Sequence, residues 1–271
     1  MTKIINNMHR NILNQFYADN CISFMKNNLQ DDSVDMILTS PPYDNLRDYN
    51  GYFFEFEKIA DEFFRIIKKG GVVVWVVGDK IKNGNKSLTS FKQAIYFQQI
   101  GFNVHDVMIY AKKNTPFMRS NAYTNSYEYM FILSKGKPKT FNPIKEQTAR
   151  SGMEMLVANK KSDGKNHKVL KELKTEKTKT NIWYYAVGLD GTTKDKEAFK
   201  HPAVYPEQLA QDHILSWSNE GDIVLDPMCG SGTTCKMAFL NKRNFIGVDI
   251  SEEYIEIAKT RLSKYRNGLW V

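Results

Sequence analysis

The feature that most constrains this chain is a regular exchange between two hydrophobic periods. Residues 33–38 (SVDMIL) and 72–77 (VVVWVV) are apolar runs of strand length, and unbroken runs of this kind suit strands covered on both faces. Between them, residues 53–68 carry apolar side chains at helical spacing and stop before Gly70-Gly71, as a helix packed on one face does. Residues 90–100 predict another helix, ended by Gly101, and residues 104–110 and 127–133 predict two more strands. After His201 the alternation resumes, with helices predicted over 207–216, 233–240 and 252–262 and strands over 223–225 and 244–248. Strands alternating with helices imply a mainly parallel sheet flanked by helices.

The stretch that interrupts this alternation differs in composition. Residues 137–200 hold 15 Lys or Arg against 8 Asp or Glu, so they supply most of the chain's net charge of +8. Residues 160–179 are lysine-rich and poor in apolar side chains, which favours solvent exposure over core. Three parts are therefore expected: two α/β halves, 1–136 and 201–271, around a basic insertion at 137–200. With 271 residues, 42% of them hydrophobic, the chain can bury one sizeable core and carry a smaller module. The basic balance fits a polyanionic partner, although lysine also serves solubility. Cys21, Cys229 and Cys235 are odd in number and widely spaced, which indicates neither a disulfide framework nor a metal site and fits a reducing cytoplasm. No apolar run approaches membrane-spanning length, and residues 1–7 lack a signal-peptide core.

Two constellations carry chemistry. The first is Asp226-Pro227-Met228-Cys229-Gly230-Ser231-Gly232-Thr233-Thr234, a glycine turn that follows a strand and opens a helix. Glycines let backbone approach a ligand, and free N–H groups at a helix start favour an electronegative group. Alone, such a turn is equally a plain strand-to-helix connection. Asp249 ends the next predicted strand about twenty residues on, where a carboxylate can accept hydrogen bonds from ribose hydroxyls. The pair points to an adenosine-containing cofactor. The second constellation is Thr39-Ser40-Pro41-Pro42-Tyr43, at the carboxyl end of the first predicted strand, where open α/β sheets bind ligands. Two prolines lack N–H groups and stiffen the backbone, so their carbonyls can face a substrate. Its plainer reading is a strand followed by a Pro-Pro turn.

Together these residues resemble the amino-methyltransferases of DNA, in particular the permuted group called beta, whose Ser/Asp/Asn-Pro-Pro-Tyr/Phe motif precedes the glycine motif. The resemblance extends from Phe16 to Leu262, with the lysine-rich insertion matching only in place. It implies a Rossmann-like methyltransferase fold with a mostly parallel seven-stranded sheet, S-adenosyl-L-methionine as cofactor, double-stranded DNA as partner and the basic insertion as target-recognition region. It implies catalytic roles for Ser40, Pro41, Pro42 and Tyr43. Cofactor contacts are implied for Asp19, Asn20, His201, Pro202, Asp226, Pro227, Gly230, Ser231, Gly232, Thr233, Thr234 and Asp249. Asp19 is also readable as a helix cap, Thr233 and Thr234 as helix-capping residues, and the tryptophan of Asn181-Ile182-Trp183 as packing.

The resemblance also implies the reaction. An exocyclic base amine is a poor nucleophile because its lone pair is delocalised into the ring, and acceptors at the Ser40 hydroxyl and the Pro41 carbonyl favour its charge-bearing form. The base must leave the duplex to reach them, and Tyr43 can stack on it. No cysteine follows a proline, unlike the nucleophile of carbon-5 cytosine enzymes, and no metal is called for. Ser at the first motif position and the His-Pro-Ala form at His201 lean toward cytosine N4, with adenine N6 the alternative. Arg47 and Arg119 are further candidates for DNA contact, or plain surface arginines, and Tyr49 and Tyr52 for a loop over the everted base, or equally structural residues. A homodimer and a companion restriction endonuclease stay open. Rival readings are an RNA or protein methyltransferase, against which the motif order argues, and a DNA-binding module without catalysis.

Overall fold

The computed structural model describes residues 12–42 and 54–266, apart from 116, 117, 119, 121, 150, 151, 161, 163 and 173. Tyr43, Arg47, Tyr49, Tyr52 and Arg119 lie outside the described residues. The chain forms two compact units, residues 1–142 with 181–271, and Pro143–Thr180.

The larger unit is built on one sheet whose strands are β1 (Gln15–Ala18), β2 (Val34–Thr39), β3 (Ile67–Val77), β4 (Asn103–Lys112), β5 (Tyr127–Ser134), β6 (Ile182–Tyr185), β7 (Ile223–Asp226) and β8 (Asn244–Asp249). Their order is β1-β8-β7-β2-β3-β5-β4-β6. Only the pairings of β5 with β3 and with β4 are antiparallel. Flanking helices are α1 (Cys21–Asn28), α2 (Phe56–Ile66), α3 (Thr89–Gln99), α4 (Glu207–Trp217), α5 (Thr233–Leu240) and α6 (Glu252–Arg266).

The predicted elements appear within a few residues of their expected ends because apolar runs on a doubly covered sheet have no other place to go. Val72 to Val77 are buried to within 1% exposure. Trp75 anchors an aromatic cluster with Phe63 and Phe97, and its indole N–H donates to Gln93 Oε1 at 3.0 Å. The sheet has eight strands where seven were expected. β1 and β6, four residues each, are the two edge strands of the sheet, and each is fixed by pairing along an existing edge. β1 lies parallel to β8, and β6 lies parallel to β4. Capture of β6 also narrows the separate unit to Pro143–Thr180 from the expected 137–200. Trp183 packs against His213 with centroids 4.7 Å apart, and the Tyr185 hydroxyl donates to Asp212 at 2.6 Å. Upstream, Asn142 is tied to α4 through Ser216 O at 2.8 Å.

The smaller unit contains two antiparallel pairings, Glu154–Lys160 with Asn166–Glu172 and Lys145–Gln147 with Glu176–Thr178. Leu156 and Leu170 are 64% and 58% exposed, so among the described residues the unit has no deep core. Among the described residues of the whole chain, no helix is long and apolar enough to cross a membrane.

Candidate active site

The strand order reverses between β2 and β7. β2 continues to β3 on one side and β7 to β8 on the other, while Val224 pairs with Met36 and Leu225 with Ile37. An open α/β sheet leaves a crevice outside the carboxyl ends of strands at such a switch point. The two motifs, nearly 190 residues apart in sequence, begin there side by side. The Thr39 hydroxyl donates to Asp226 Oδ1 at 2.8 Å. Thr234 donates to Leu38 O at 3.1 Å and so, having one proton, accepts from the Tyr205 hydroxyl.

A cavity of about 760 Å³ opens at this point, lined by Ser40, Pro41 and Pro42 from one motif and by Pro227, Gly230, Ser231 and Thr233 from the other. His201, Pro202 and Asp249 also line it. Asp249 Oδ2 accepts from Gly230 N at 2.8 Å and Oδ1 from Ser251 N at 3.0 Å, so the carboxylate fixes the bend of the glycine turn while facing the cavity. Burial raises the Asp249 carboxyl above its ordinary value. Burial pushes Asp226 up to about 6, against hydrogen bonds from the Thr39 hydroxyl and Met228 N that pull it down.

The remaining sequence candidates stand behind or outside the wall. Asp226, Gly232 and Thr234 are absent from the lining residues, and Asp226 and Thr234 are buried. Gly232 has φ +77, and a Cβ there would come within 2.7 Å of Ala258 Cβ. At Gly230 (φ +49) an added Cβ would come within 2.7 Å of His201 Nε2. The room left by these glycines is thus taken partly by protein: the His201 ring sits over the turn and edge-on to Tyr254, centroids 4.4 Å apart. Asp19 is exposed and accepts from Asn20 N, while Asn20 caps α1 by accepting from Ile22 N and Ser23 N; neither lines the cavity. Asp19 N nonetheless donates to Asp249 O at 3.0 Å, which places β1's end beside the glycine turn.

Sequence reading missed the parts that come from elsewhere. Tyr110, Lys112 and Glu128 line the cavity, with Lys112 and Glu128 paired at 2.7 Å across neighbouring strands; alternate polar residues at the end of β4 were the available signal. A buried ionic cluster backs the glycine turn. Lys236 meets Asp195 at 2.6 Å and Glu207 at 2.8 Å, and Arg261 meets Glu207 at 2.6 Å. Arg261 also donates to the Ser231 carbonyl at 2.5 Å and to its hydroxyl at 3.1 Å. Burial raises the thiols of Cys229 and Cys235 and pushes Cys21 up to about 12, so none is prepared as a nucleophile.

Comparison with known proteins agrees with this geometry. A family model described as DNA methylase matches residues 34–260. The orphan methyltransferase M.BamHII of Bacillus amyloliquefaciens is 52% identical over 89% of this chain and 93% of its own length. Among solved structures, the M1.HpyAVI–SAM complex is 26% identical with a TM-score of 0.59, covering 92% of this chain and 99% of the other. The cytosine-N4-specific PvuII DNA methyltransferase is 17% identical with a TM-score of 0.65, over 91% of this chain and 85% of the other, and so shares the fold. The chain therefore belongs to the N6/N4 DNA methylase family.

Proposed function

We propose that this DNA methyltransferase moves a methyl group from S-adenosylmethionine to N4 of a cytosine in double-stranded DNA, with N6 of adenine as the alternative acceptor. The observation that carries this reading is the single cavity at the β2/β7 switch point, lined by both Ser40-Pro41-Pro42 and Gly230-Ser231. Its volume of about 760 Å³ lies within the usual range for ligand pockets.

The residues present fit the cofactor. Asp249 keeps a cavity-facing carboxylate able to accept from ribose hydroxyls, and Tyr254, His201 and Ile250 supply flat or apolar surface around it. When bound, S-adenosylmethionine supplies a methyl group on a positively charged sulfur. Ser40 Oγ and the Pro41 carbonyl accept the two N–H bonds of the base amine and favour the form whose lone pair is free to react. Pro41 and Pro42 lack N–H groups, so this edge is not consumed by a strand ladder. Tyr43 is the proposed stacking surface for the everted base, offsetting part of an eversion cost of roughly a few kcal/mol. The Lys112–Glu128 pair fixes the β4–β5 wall of the pocket. The basic unit Pro143–Thr180 is the proposed target-recognition region, its lysines meeting phosphates.

Cytosine is favoured because Ser40 offers a neutral acceptor where adenine enzymes of this family more often carry Asp. Incubation of unmodified duplex DNA with the enzyme and cofactor, followed by digestion to nucleosides and mass spectrometry, should yield 4-methylcytosine. Only 6-methyladenine would overturn the choice of base and leave the reaction class standing, whereas neither product would overturn the activity.

A further inference from the structure

A second cavity lies beside the first. It has a volume of about 830 Å³ and shares Pro42 and Phe54 with the one just described. Its far side is built by a short hairpin, Ile81–Lys82 paired with Asn85–Lys86, whose turn residues Asn83 and Gly84 have φ +52 and +77, as a two-residue hairpin turn requires. α3 supplies Thr89, Lys92, Gln93 and Tyr96, and α2 supplies Phe56 and Glu57.

Three observations set its chemistry. First, Lys80, Lys82 and Lys92 line it against one acid, Glu57. Among the described residues, Lys82 and Lys92 pair with no carboxylate, and the nearby Asp79 accepts from Ser90 N. Second, Phe54, Phe56 and Tyr96 line it. Phe56 and Tyr96 meet edge-on with centroids 5.5 Å apart, and the Tyr96 hydroxyl donates to Asp61, so the rings are held in place. Third, Gln93 lines the groove although it is only 5% exposed. The indole N–H of Trp75 can only donate, and it bonds Gln93 at 3.0 Å, so the amide must present its oxygen to Trp75. Its two N–H groups then remain, and among the described residues they have no protein partner.

With its oxygen held by Trp75, Gln93 presents fixed N–H donors at the groove wall, where an acceptor from outside can meet them. Unpaired lysines at the rim call for negative charge, and aromatic rings call for a flat or apolar face. We infer that this groove is a second DNA-contacting site, which takes a nucleotide flanking the target, its phosphates at Lys82 and Lys92 and an acceptor on its base edge at Gln93. The inference rests on the DNA-methyltransferase reading above and adds contacts that do not depend on the basic unit Pro143–Thr180.

The test compares the full-length enzyme with Lys82→Ala/Lys92→Ala, measuring the salt dependence of duplex DNA binding together with KM for DNA and kcat. Loss of two phosphate contacts should reduce the slope of log K against log salt by about 2 and raise KM for DNA, with kcat at saturating DNA and the calorimetric Kd for S-adenosylmethionine unchanged. Gln93→Glu keeps the acceptor for Trp75 but replaces both donors. It should raise KM for DNA without lowering the salt slope. Lys26→Ala/Lys242→Ala, which removes two lysines from outside the groove, should leave the slope at its wild-type value. A wild-type slope in Lys82→Ala/Lys92→Ala, an equal fall in the Lys26→Ala/Lys242→Ala control, or an unchanged KM in Gln93→Glu overturns the groove assignment. A wild-type enzyme that binds no DNA overturns the methyltransferase reading as well.

Discussion

The two units of this chain are stabilised in opposite ways. The larger one encloses Val72 to Val77, Phe63 and Phe97 with almost no exposure and buries even its ionic groups, Lys236 and Arg261 among them. Pro143–Thr180 carries ten Lys or Arg against five Asp or Glu and leaves Leu156 and Leu170 open to solvent. A buried charge is kept only when its partners are fixed, so the large unit can hold the cavity wall rigid. Lys168 and Lys171, exposed on a paired strand, can meet a polyanion without loss of core. Rigidity and accessible charge are thus assigned to different stretches of chain.

The strongest way to break this contrast is to open the ionic cluster. Arg261→Ala leaves Asp195 and Glu207 with Lys236 alone, and it should lower unfolding free energy by about 3–5 kcal/mol. Calorimetry should also show weaker binding of S-adenosylmethionine, because Ser231 loses its anchor; a change under about 1 kcal/mol in denaturant unfolding would show the cluster to be dispensable. Ser40→Ala acts on chemistry and not on the fold. It should reduce kcat on the order of 10²–10³-fold, the usual cost of one transition-state hydrogen bond, with thermal stability retained. Wild-type turnover in a tritium-transfer assay would remove Ser40 from the mechanism.

Asp226 sharpens the comparison through pH. Its folded value of about 6 lies above the ordinary 3.8, so its stabilising contribution is complete below about pH 4 and is lost as pH rises through about 6. The Oδ1 acceptor for Thr39 and Met228 survives in Asp226→Asn, which does not titrate. Wild-type stability relative to this variant should therefore fall by on the order of 2 kcal/mol between pH 4 and pH 6. A flat difference in urea titrations across that window would contradict the buried carboxyl. The smallest effect belongs to the basic unit. Lys168→Gln/Lys171→Gln should lower the salt slope of DNA binding by about 2 with stability within roughly 0.5 kcal/mol of wild type. Unfolding of the unit by these changes would show that its charges serve structure instead.

Most of the fold was legible because apolar periodicity reports burial, and α4, α5, β5 and β8 lie within two residues of their predicted bounds. β1 and β6 were not legible: unlike the equally short but internal β7, each lies at a sheet edge and is fixed by pairing with one neighbour. The same division runs through the site. Ser40-Pro41-Pro42 and Gly230-Ser231 could be found in sequence because their backbone chemistry is local. That His201 covers Gly230 and that Gln93 is turned by Trp75 are outcomes of packing between segments apart in the chain.

The amino-acid sequence by itself determined the alternation of strands and helices, the two motifs and the place of the basic stretch, because each depends on side-chain type and spacing along a few residues. Only the tertiary structure decided that β2 and β7 are neighbours, and with that one adjacency it joined the two motifs in a single cavity. It also decided which candidates face that cavity and which stand behind it, because burial and hydrogen-bond partners are set by contacts between segments far apart in the chain.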